Sequence, residues 1–278
     1  MSVRRPILAL LVLAGLALAP ASAAAQAVGP RPLHLTDLTP ANVFSLGTSF
    51  ARLGSDNGLV LPVGIDLRIA EEIAFVAELP FGYAGPSGSV AQPVLGNLAI
   101  GARGSRYVQM GLDGGFRYGA ALRGRVPTAP GLGAEAASMR SASLRPVSFY
   151  RSERWSPGAA AVRLDLGLAF DLDPFAIDLE VGGSGILPID DRPAVMALHY
   201  GLLFAAKAFK GMWTLVELAG ADGAIGLPED SRGHLLTISA GLRFEIGRFS
   251  PSAHVTFPIT GELGGQQPII FAIEMASF

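Results

Sequence analysis

Hydrophobic and polar residues alternate along most of the chain after about residue 42. In the segment VRLDLGLAFD, residues 162–171, every second residue from Val162 is apolar, while Arg163 and Asp165 fall on the other face. A period of two is typical of a β-strand with one apolar and one polar face. Gly, Pro, Asp or Asn bound twelve such segments, at residues 42–54, 58–70, 73–84, 95–108, 112–127, 159–171, 174–188, 194–209, 212–222, 234–247, 249–260 and 268–278.

The number and length of these segments indicate a barrel that crosses a membrane. Bacterial outer-membrane barrels have an even number of strands, each about nine to eleven residues or longer. Short connections, as at residues 71–72 and 247–248, alternate with longer ones, as at 85–94 and 128–158. This alternation favours periplasmic turns and extracellular loops. The sequence therefore predicts an all-β fold, a transmembrane antiparallel up-and-down barrel over residues 42–278, with 128–158 as a long extracellular loop.

The composition agrees with a membrane protein that has no membrane-spanning helix. Half of the 278 residues are hydrophobic and only 16% are charged, but no uncharged apolar run of about 18 residues follows residue 27. So apolar a chain is not intrinsically disordered, and a net charge of −2 argues against binding to nucleic acid. The absence of cysteine excludes disulfides and thiolate sites, and we expect no cofactor and no metal.

Residues 1–27 have the pattern of a secretory signal peptide. Arg4 and Arg5 precede an apolar stretch over residues 7–19, and small residues follow, with two A-x-A motifs that fit a cleavage site, one at 21–23 and one at 25–27. Residues 28–41 are then a periplasmic N-terminal segment before the first strand. We expect export by the general secretory route and insertion into the outer membrane of a diderm bacterium.

The alternation places eight cations and eight anions on the inner face of the barrel. The cations are Arg68, Arg103, Arg117, Arg123, Arg125, Arg163, Lys207 and Arg243. The anions are Asp66, Glu78, Asp165, Asp178, Glu180, Glu217, Glu245 and Glu274. On the lipid face each cationic side chain would cost about 2–4 kcal/mol near mid-depth. Equal numbers suggest pairing across the lumen, whereas an open ion-selective pore is expected to carry an excess of one sign.

Some of these charges are candidates for lining a solute route, although all of them could simply fill and solvate the lumen. The candidates are Arg68, Arg103, Arg117, Arg123, Arg125, Arg163, Asp165, Asp178, Glu180, Arg243 and Glu245. The densest positive patch consists of Arg117, Arg123, Arg125 and Arg163, where we would expect any anion-binding stripe. Two segments, residues 28–40 and 128–158, are candidates for a plug or gate. The second could equally be an exposed loop that meets the phosphates of lipopolysaccharide.

Prolines and aromatic residues are expected at opposite rims of the barrel. Proline lacks the N–H that a strand ladder needs, so we expect these five near the extracellular strand ends: Pro62, Pro80, Pro127, Pro188 and Pro258. Three aromatic pairs flank turns at the other rim and are expected to form half of an aromatic girdle: Phe170 and Phe175, Phe209 and Trp213, Phe244 and Phe249.

Three motifs in the first half of the chain resemble a known family. They are LVLPVGIDLRIAEEIAFVAELPFGYAG at residues 59–85, LGNLAIGAR at residues 95–103 and LRGRVPTAPG at residues 122–131. An L-P-x-G strand, a tight turn, an E-x-P-F strand and a G-[DN]-L-x-x-G strand resemble the outer-membrane transporter-like barrels of the phenol meta-pathway degradation type. Asn97 stands where an Asp is usual. The resemblance implies an outer-membrane channel for small, often hydrophobic organic solutes, and it transfers no catalytic residues.

The sequence predicts a channel for passive or gated passage of a small solute, and no enzyme. One alternative is a closed structural barrel that acts through its extracellular loops. The other is a rim hydrolase in which His234, beside Glu229, Asp230 and Ser231, acts as a general base, although a solvated loop explains that cluster as well. The expected partners are outer-membrane lipids, lipopolysaccharide and the barrel-insertion machinery, which would read the C-terminal strand ending in Phe278. No nucleic-acid partner is expected.

Overall fold

The structure, a computed structural model, describes residues 33–53, 56–86, 92–110, 114–128, 144, 146–189, 191, 193–225, 233–261 and 269–278. The predicted signal peptide lies outside these residues. The strands are β1 (Val43–Leu53), β2 (Asp56–Ala70), β3 (Ile73–Pro86), β4 (Gln92–Leu95), β5 (Leu98–Gln109), β6 (Gly114–Val126), β7 (Ala159–Leu172), β8 (Phe175–Pro188), β9 (Val195–Phe209), β10 (Met212–Ile225), β11 (Gly233–Phe244), β12 (Phe249–Gly261) and β13 (Ile270–Ser277). A 3₁₀ helix spans Pro146–Trp155.

The strands form a closed antiparallel barrel. Neighbours in sequence pair with one another, and the ring closes because β1 pairs with β13, with Phe44 opposite Ser277. Both β4 and β5 pair with β3, and they form one wall position that is interrupted at Gly96 and Asn97. The thirteen strands therefore make a twelve-stranded wall, which confirms the predicted fold class.

The two ends of the barrel differ in their connections. Tight connections join β2 to β3, β5 to β6, β7 to β8, β9 to β10 and β11 to β12, and the start of β1 and the end of β13 lie beside them. We call this the turn end. The other end, where β6 connects to β7 over residues 127–158, is the loop end.

In the structure, the alternating pattern gives the barrel an apolar outer face and a polar inner face. On β7, Val162 and Leu164 are exposed on the outer surface, whereas Arg163 and Asp165 are buried and point into the lumen. Most strands repeat this arrangement, so the outer surface carries a broad band of exposed aliphatic and aromatic side chains. An apolar band this large is the surface that a barrel presents to lipid.

The last strand has a regular register with both of its neighbours. Phe271 and Ile273 point outward and are more than half exposed, while Glu274 points inward and lies 3.9 Å from Arg243. The backbone N–H of Phe278 donates to the carbonyl of Arg248 at 3.0 Å. The two faces of this strand therefore follow the same rule as the other strands.

Two prolines do not lie where the sequence pattern places them. Pro62 and Pro80 were expected near strand ends, but they face each other in the interior of the β2–β3 ladder. The β1–β2 pairing is interrupted beside Pro62, between the pairs Leu46–Val63 and Ser49–Val60. Because proline has no N–H to donate, it removes a ladder bond wherever it sits, and here the barrel tolerates that loss within the wall.

One of the aromatic residues expected in the girdle does not lie on the outer surface. Phe175, Phe209 and Phe249 are exposed on the outer surface near the turn end, as expected. Trp213 instead points into the barrel, where its indole N–H donates to the carboxylate of Glu245 at 3.0 Å. A buried tryptophan usually finds a partner for its N–H, and an inward carboxylate provides one here.

Two segments of the chain lie inside the ring of strands. The N-terminal plug, residues 33–42, precedes β1, and the loop helix, Pro146–Trp155, belongs to the connection between β6 and β7. Leu35 and Trp155 are buried although neither belongs to the wall. None of the helical residues described makes a helix with the length and apolarity needed to cross a membrane.

Candidate functional site

The N-terminal plug is held at its start by side chains of three neighbouring strands. Glu217 of β10 is fully buried and accepts hydrogen bonds from the backbone N–H groups of Leu33 and His34, both at 2.8 Å. The imidazole of His34 contacts the hydroxyls of Ser239 at 3.1 Å and Thr256 at 2.9 Å. Buried backbone donors must find acceptors, and the wall supplies them here through a carboxylate.

We expect Glu217→Ala to release the start of the plug. The substitution leaves two buried N–H groups without their acceptor, which costs about 1–3 kcal/mol for each group. Hydrogen exchange followed by mass spectrometry should show roughly tenfold faster exchange or more in a peptide that covers the plug. Glu72→Ala changes an exposed carboxylate on a turn and is the control. Equal protection in both variants would show that Glu217 does not hold the plug.

The middle of the plug is bonded to acidic residues of β7 and β8. The N–H of Thr36 donates to Glu180 at 2.5 Å, and its hydroxyl donates to Asp165 at 3.0 Å. Arg123 reaches the same place, since its Nη1 lies 3.2 Å from Asp165 and 3.3 Å from the Thr36 hydroxyl. One threonine is therefore fixed by strands β6, β7 and β8 together.

Two leucines of the plug fit against glycines in the wall. A Cβ built on Gly201 would lie 2.1 Å from Cδ2 of Leu35, and a Cβ built on Gly167 would lie 2.6 Å from Cδ1 of Leu38. Real Cβ atoms do not approach carbon atoms this closely, so the leucines occupy the space that a side chain would take. The absence of a side chain at these two positions lets the plug lie directly on the backbone of β9 and β7.

The loop helix is bound to the wall through Arg163. The Nε of this buried guanidinium donates to both carboxylate oxygens of Asp165, at 2.8 and 2.9 Å. Its Nη1 donates to the carbonyl of Tyr150, and its Cζ lies 4.8 Å from the centre of the Tyr150 ring. Glu153 and Glu180 lie 3.8 and 3.5 Å from the same guanidinium. A buried charge is tolerated only with such partners.

A second cluster joins the loop helix to β3 and β6. Glu78 of β3 is bonded by Arg154 at 2.5 and 2.8 Å and lies 3.2 Å from both Arg125 and Arg151. Arg125 also lies 3.3 Å from Glu153 of the helix. The helix is therefore tied to β3 and β6 by ion pairs as well as to β7 and β8.

Asn97 fixes the end of the loop helix from the break between β4 and β5. Its side-chain amide donates to the carbonyls of Glu153 at 3.2 Å, Ser156 at 2.9 Å and Ala159 at 3.3 Å. Its backbone N–H donates to the carbonyl of Arg154 at 2.7 Å. The last carbonyls of a helix lack partners within the helix, and Asn97 supplies donors to two of them, from its side chain to Glu153 and from its backbone to Arg154.

Glu180 connects the two segments that fill the lumen. One of its oxygens accepts from the Thr36 N–H of the plug, and the other accepts from the Tyr150 hydroxyl of the loop helix at 2.9 Å. Residues that share a partner in this way are energetically coupled. Displacing either segment therefore weakens the hold on the other.

The pKa of Glu153 in the loop helix predicts how the attachment of the helix to the wall depends on pH. Burial alone would raise the pKa of Glu153, but Arg125 and Arg163 outweigh it and lower the pKa to about 2 from an ordinary 4.5. A lowered pKa stabilises the folded arrangement above about pH 4.5, and this stabilisation is lost as the pH falls towards 2.

Acidification should therefore loosen the loop helix in this window. Trp155 is buried at the helix end, and its fluorescence can be read alone in a Trp213→Phe variant, because the chain has two tryptophans. We expect constant emission from pH 7 to about 4.5 and a shift to longer wavelength as the pH approaches 2. The acid transition should change in Glu153→Gln, and an identical profile in that variant would exclude Glu153 as its source.

A cavity of about 160 Å³ remains between the two segments and the wall from β12 through β13, β1, β2 and β3 to β5. We call it the β1–β2 crevice. It exists because the inner faces of β1 and β2 carry mainly small or uncharged residues, namely Ser45, Gly47, Ser49, Pro62 and Gly64. The cations that line it are Arg103, Arg123, Arg151, Arg154 and Arg243. The anions that line it are Asp37, Asp66, Glu78 and Glu274.

The structure distributes the predicted route-lining residues over four places. Arg103, Arg123 and Arg243 line the β1–β2 crevice. Arg117, Asp178 and Glu180 line a smaller cavity of about 30 Å³ beneath the plug, where Arg117 also donates to the Thr39 hydroxyl at 2.7 Å. Arg125, Arg163 and Asp165 line neither cavity and are buried in the ion pairs of the loop helix. Arg68 and Glu245 are exposed at the turn end.

The residues that sequence analysis did not single out belong mostly to the plug and the loop helix. His34, Thr36, Tyr150, Glu153 and Asn97 make many of the contacts that fill the lumen. The segments of the first four were marked as candidates for a plug, but no periodic pattern identifies individual residues outside strands. Only the uncommon Asn in place of Asp at residue 97 gave a local signal.

The described residues around the candidate hydrolase site contain only part of it. His234 and Asp222 are in hydrogen-bond contact at the loop end and are both partly exposed, while residues 229–231 lie outside the described residues. Ser184 bonds His199 at 2.9 Å, but both are buried in the lumen. Within the described part of the chain, no group of three or more His, Cys, Asp or Glu side chains is arranged to hold a metal.

Comparisons with known proteins agree with this architecture. No family model matches the chain, and no curated protein matches its sequence. Among solved structures, it is similar to an outer membrane channel from Pseudomonas putida F1, with 12% identity, a TM-score of 0.63, and coverage of 92% of this chain and 99% of that one. It is also similar to the NanC porin, with 5% identity, a TM-score of 0.50, and coverage of 84% and 99%. The resemblance predicted from the motifs is thus confirmed at the level of fold: the chain has the barrel fold of outer-membrane channels.

Proposed function

We propose that the protein is an outer-membrane channel that is closed at rest by its own N-terminal plug and loop helix. A small solute passes along the β1–β2 crevice when the plug moves. The observation that carries this proposal is the crevice itself, which lies between the wall and a segment whose backbone is held mainly by side chains of the wall. The apolar outer band and the likeness in fold to outer-membrane channels support the membrane location.

The proposed orientation places the turn end in the periplasm and the loop end outside the cell. This follows from the signal peptide predicted for residues 1–27 and from the tight connections that outer-membrane barrels have on their periplasmic side. The N-terminal plug then closes the periplasmic half of the lumen. Lipid, lipopolysaccharide and the insertion machinery, acting on the strand that ends in Phe278, are the partners this location implies.

Planar-bilayer recording tests the proposed channel. The wild-type barrel should show rare or small openings. Replacing residues 33–40 with a Gly-Ser segment of equal length removes the contacts of Leu35, Thr36 and Leu38 and should increase the current several-fold, since the strands are unchanged. A Gly-Ser replacement of residues 263–267, between β12 and β13, should not. Silence of the wild type and of the plug variant, both verified as folded, would overturn the channel proposal.

A closed structural barrel is the second candidate. The observation that favours it is the density of buried ion pairs around Arg163 and Glu78, which binds the loop helix to four strands. In that case the loops at the loop end would carry the function through surface contacts. The same recording separates the two functions, because a structural barrel stays silent after the plug is replaced.

A further inference from the structure

We propose that the β1–β2 crevice contains a binding site for the oxyanion group of a small solute, formed by Arg151 and Arg154 of the loop helix. The inference rests on the proposed channel function and names the class of solute. Both side chains line the crevice, and both keep part of their surface exposed, 21% for Arg151 and 11% for Arg154. The site therefore lies on one of the two segments that fill the lumen.

The 3₁₀ geometry of the loop helix places these two arginines on one face. A 3₁₀ helix has three residues per turn, so side chains at positions i and i+3 lie one above the other. Tyr150 and Glu153, also three residues apart, belong to a different face, which is buried against Arg163 of β7. One face of the helix thus binds the wall, and the next presents two guanidinium groups to the crevice.

The two guanidinium groups are close enough to bind one anion. Nη1 of Arg151 and Nη2 of Arg154 lie 3.2 and 2.5 Å from the same oxygen atom, Oε2 of Glu78. The two nitrogens are therefore no more than about 6 Å apart, a gap that an oxyanion accepting at about 2.7–2.9 Å from each group can bridge.

Each arginine also has donors that no described residue uses. Arg151 is bonded only through Nη1, so its Nε and Nη2 have no hydrogen-bond partner among the described residues. Arg154 binds Glu78 through Nε and Nη2, and its Nη1 has no such partner either. None of these three nitrogens is buried, so a solute in the crevice can reach them. The Nε and Nη2 edge of a guanidinium matches two oxygens of a carboxylate or a phosphate.

The ion pairs around the loop helix leave one positive charge without a counterpart. Among the described residues, they connect five guanidinium groups with four carboxylates, namely Arg123, Arg125, Arg151, Arg154 and Arg163 with Glu78, Glu153, Asp165 and Glu180. Arg151 is the most exposed of these arginines. The excess charge therefore lies at the crevice, where it attracts an anion more strongly than it would in water.

Repulsion between the two arginines points to the same sign of ligand. Burial is the main cause that lowers the pKa of Arg154; Glu78 opposes it, and the neighbouring charge of Arg151 lowers the pKa further. A bound oxyanion would relieve this repulsion, whereas a bound cation would increase it. Glu78 cannot balance both groups, because it is shared with Arg125 as well.

The size of the crevice limits the solute. Its volume is about 160 Å³, roughly ten times the volume that holds one water molecule. A solute with a few non-hydrogen atoms fits there while the plug is in place, and a larger one needs the plug to move. A short carboxylate or a simple phosphate meets both the size and the charge of the site.

Fluorine NMR on the detergent-purified full-length barrel tests this site. Fluoroacetate and monofluorophosphate carry the oxyanion, and fluoroacetamide is the uncharged counterpart of the first. The wild-type protein should broaden or shift at least one of the two anion signals in a saturable way, and it should leave fluoroacetamide unaffected. The anion that binds more tightly distinguishes a carboxylate from a phosphate as the preferred group.

Two variants with opposite expected effects locate the site. Arg151→Gln should weaken binding roughly tenfold or more, because it removes a charge and the free Nε and Nη2 donors. Glu78→Gln should tighten binding, because it removes the negative charge beside the two arginines. Arg106→Gln changes an exposed arginine at the turn end and should leave binding unchanged. Emission of Trp155 in the Trp213→Phe background shows whether the loop helix keeps its place in each variant.

Absence of saturable binding of both anions to the wild type would overturn the site, and so would equal binding by the wild type and Arg151→Gln. If Arg151→Gln releases the helix, Glu78→Gln carries the test, and binding no tighter than that of the wild type would then overturn the site. The readout needs no current. Binding by a barrel that never conducts would overturn the channel and retain the site, and conduction without binding would do the reverse.

Discussion

Gly167→Ala is expected to shift the barrel towards its open state by roughly 5- to 150-fold. The added Cβ would lie 2.6 Å from Cδ1 of Leu38 and 3.3 Å from the carbonyl oxygen of Leu179. The wall can absorb the second contact by a small shift, but Leu38 has to leave its position. Overpacking of this kind costs about 1–3 kcal/mol, and the cost falls only on the state in which the plug is bound. The measured quantity is the open probability in planar bilayers.

Two further variants separate a specific effect from general damage to the barrel. A Cβ on Gly185 of the neighbouring strand β8 meets no atom within 4 Å, so Gly185→Ala should leave the open probability unchanged. Adding Leu38→Ala to Gly167→Ala should restore part of the closure, because the shortened side chain makes room for the new methyl group. Similar currents from Gly167→Ala and Gly185→Ala would show that Leu38 does not close the lumen.

The strands of the barrel wall could be predicted from sequence because the alternation of apolar and polar residues is a local pattern. A strand that crosses a membrane must show lipid an apolar face, so the alternation at residues 162–171 appears directly in the structure as exposed Val162 and buried Arg163. The inward position of Glu274 follows from the same rule. Trp213 also obeys it, because it has the same parity as Glu217 and points inward although it lies beside a turn.

The contents of the lumen could not be predicted in the same way, because the contacts join residues that are distant in sequence. Glu217 was expected to face inward, but nothing local shows that it accepts from backbone groups 184 and 183 residues away. Gly167 and Gly201 look like ordinary strand glycines until the leucines that lie on them are known. The environment of a buried charge depends on partners that are distant in sequence. Arg103 and Arg163 therefore have different environments, although both lie at inward-facing positions of a strand.

Asn97 shows how a single side chain can determine how the loop helix is held. In the resembling barrels an Asp is usual at this position, but here the side chain has to donate to three carbonyl oxygens at 2.9 to 3.3 Å. A carboxylate has no hydrogen to donate when ionised. The residue is completely buried, so water cannot compensate. The amide therefore explains how the end of the loop helix is held in this chain.

We therefore expect Asn97→Asp to detach the end of the loop helix. Placing an ionised carboxylate against three carbonyls without compensation costs about 3–5 kcal/mol, which exceeds the effect of removing one ordinary hydrogen bond. In the Trp213→Phe background, the emission of Trp155 should move to longer wavelength at pH 7. Asn42→Asp is the matched control, because the Asn42 side chain accepts from the N–H of Arg68 at 2.8 Å and Asp can do the same. Unchanged Trp155 emission in Asn97→Asp would mean that the amide does not hold the helix.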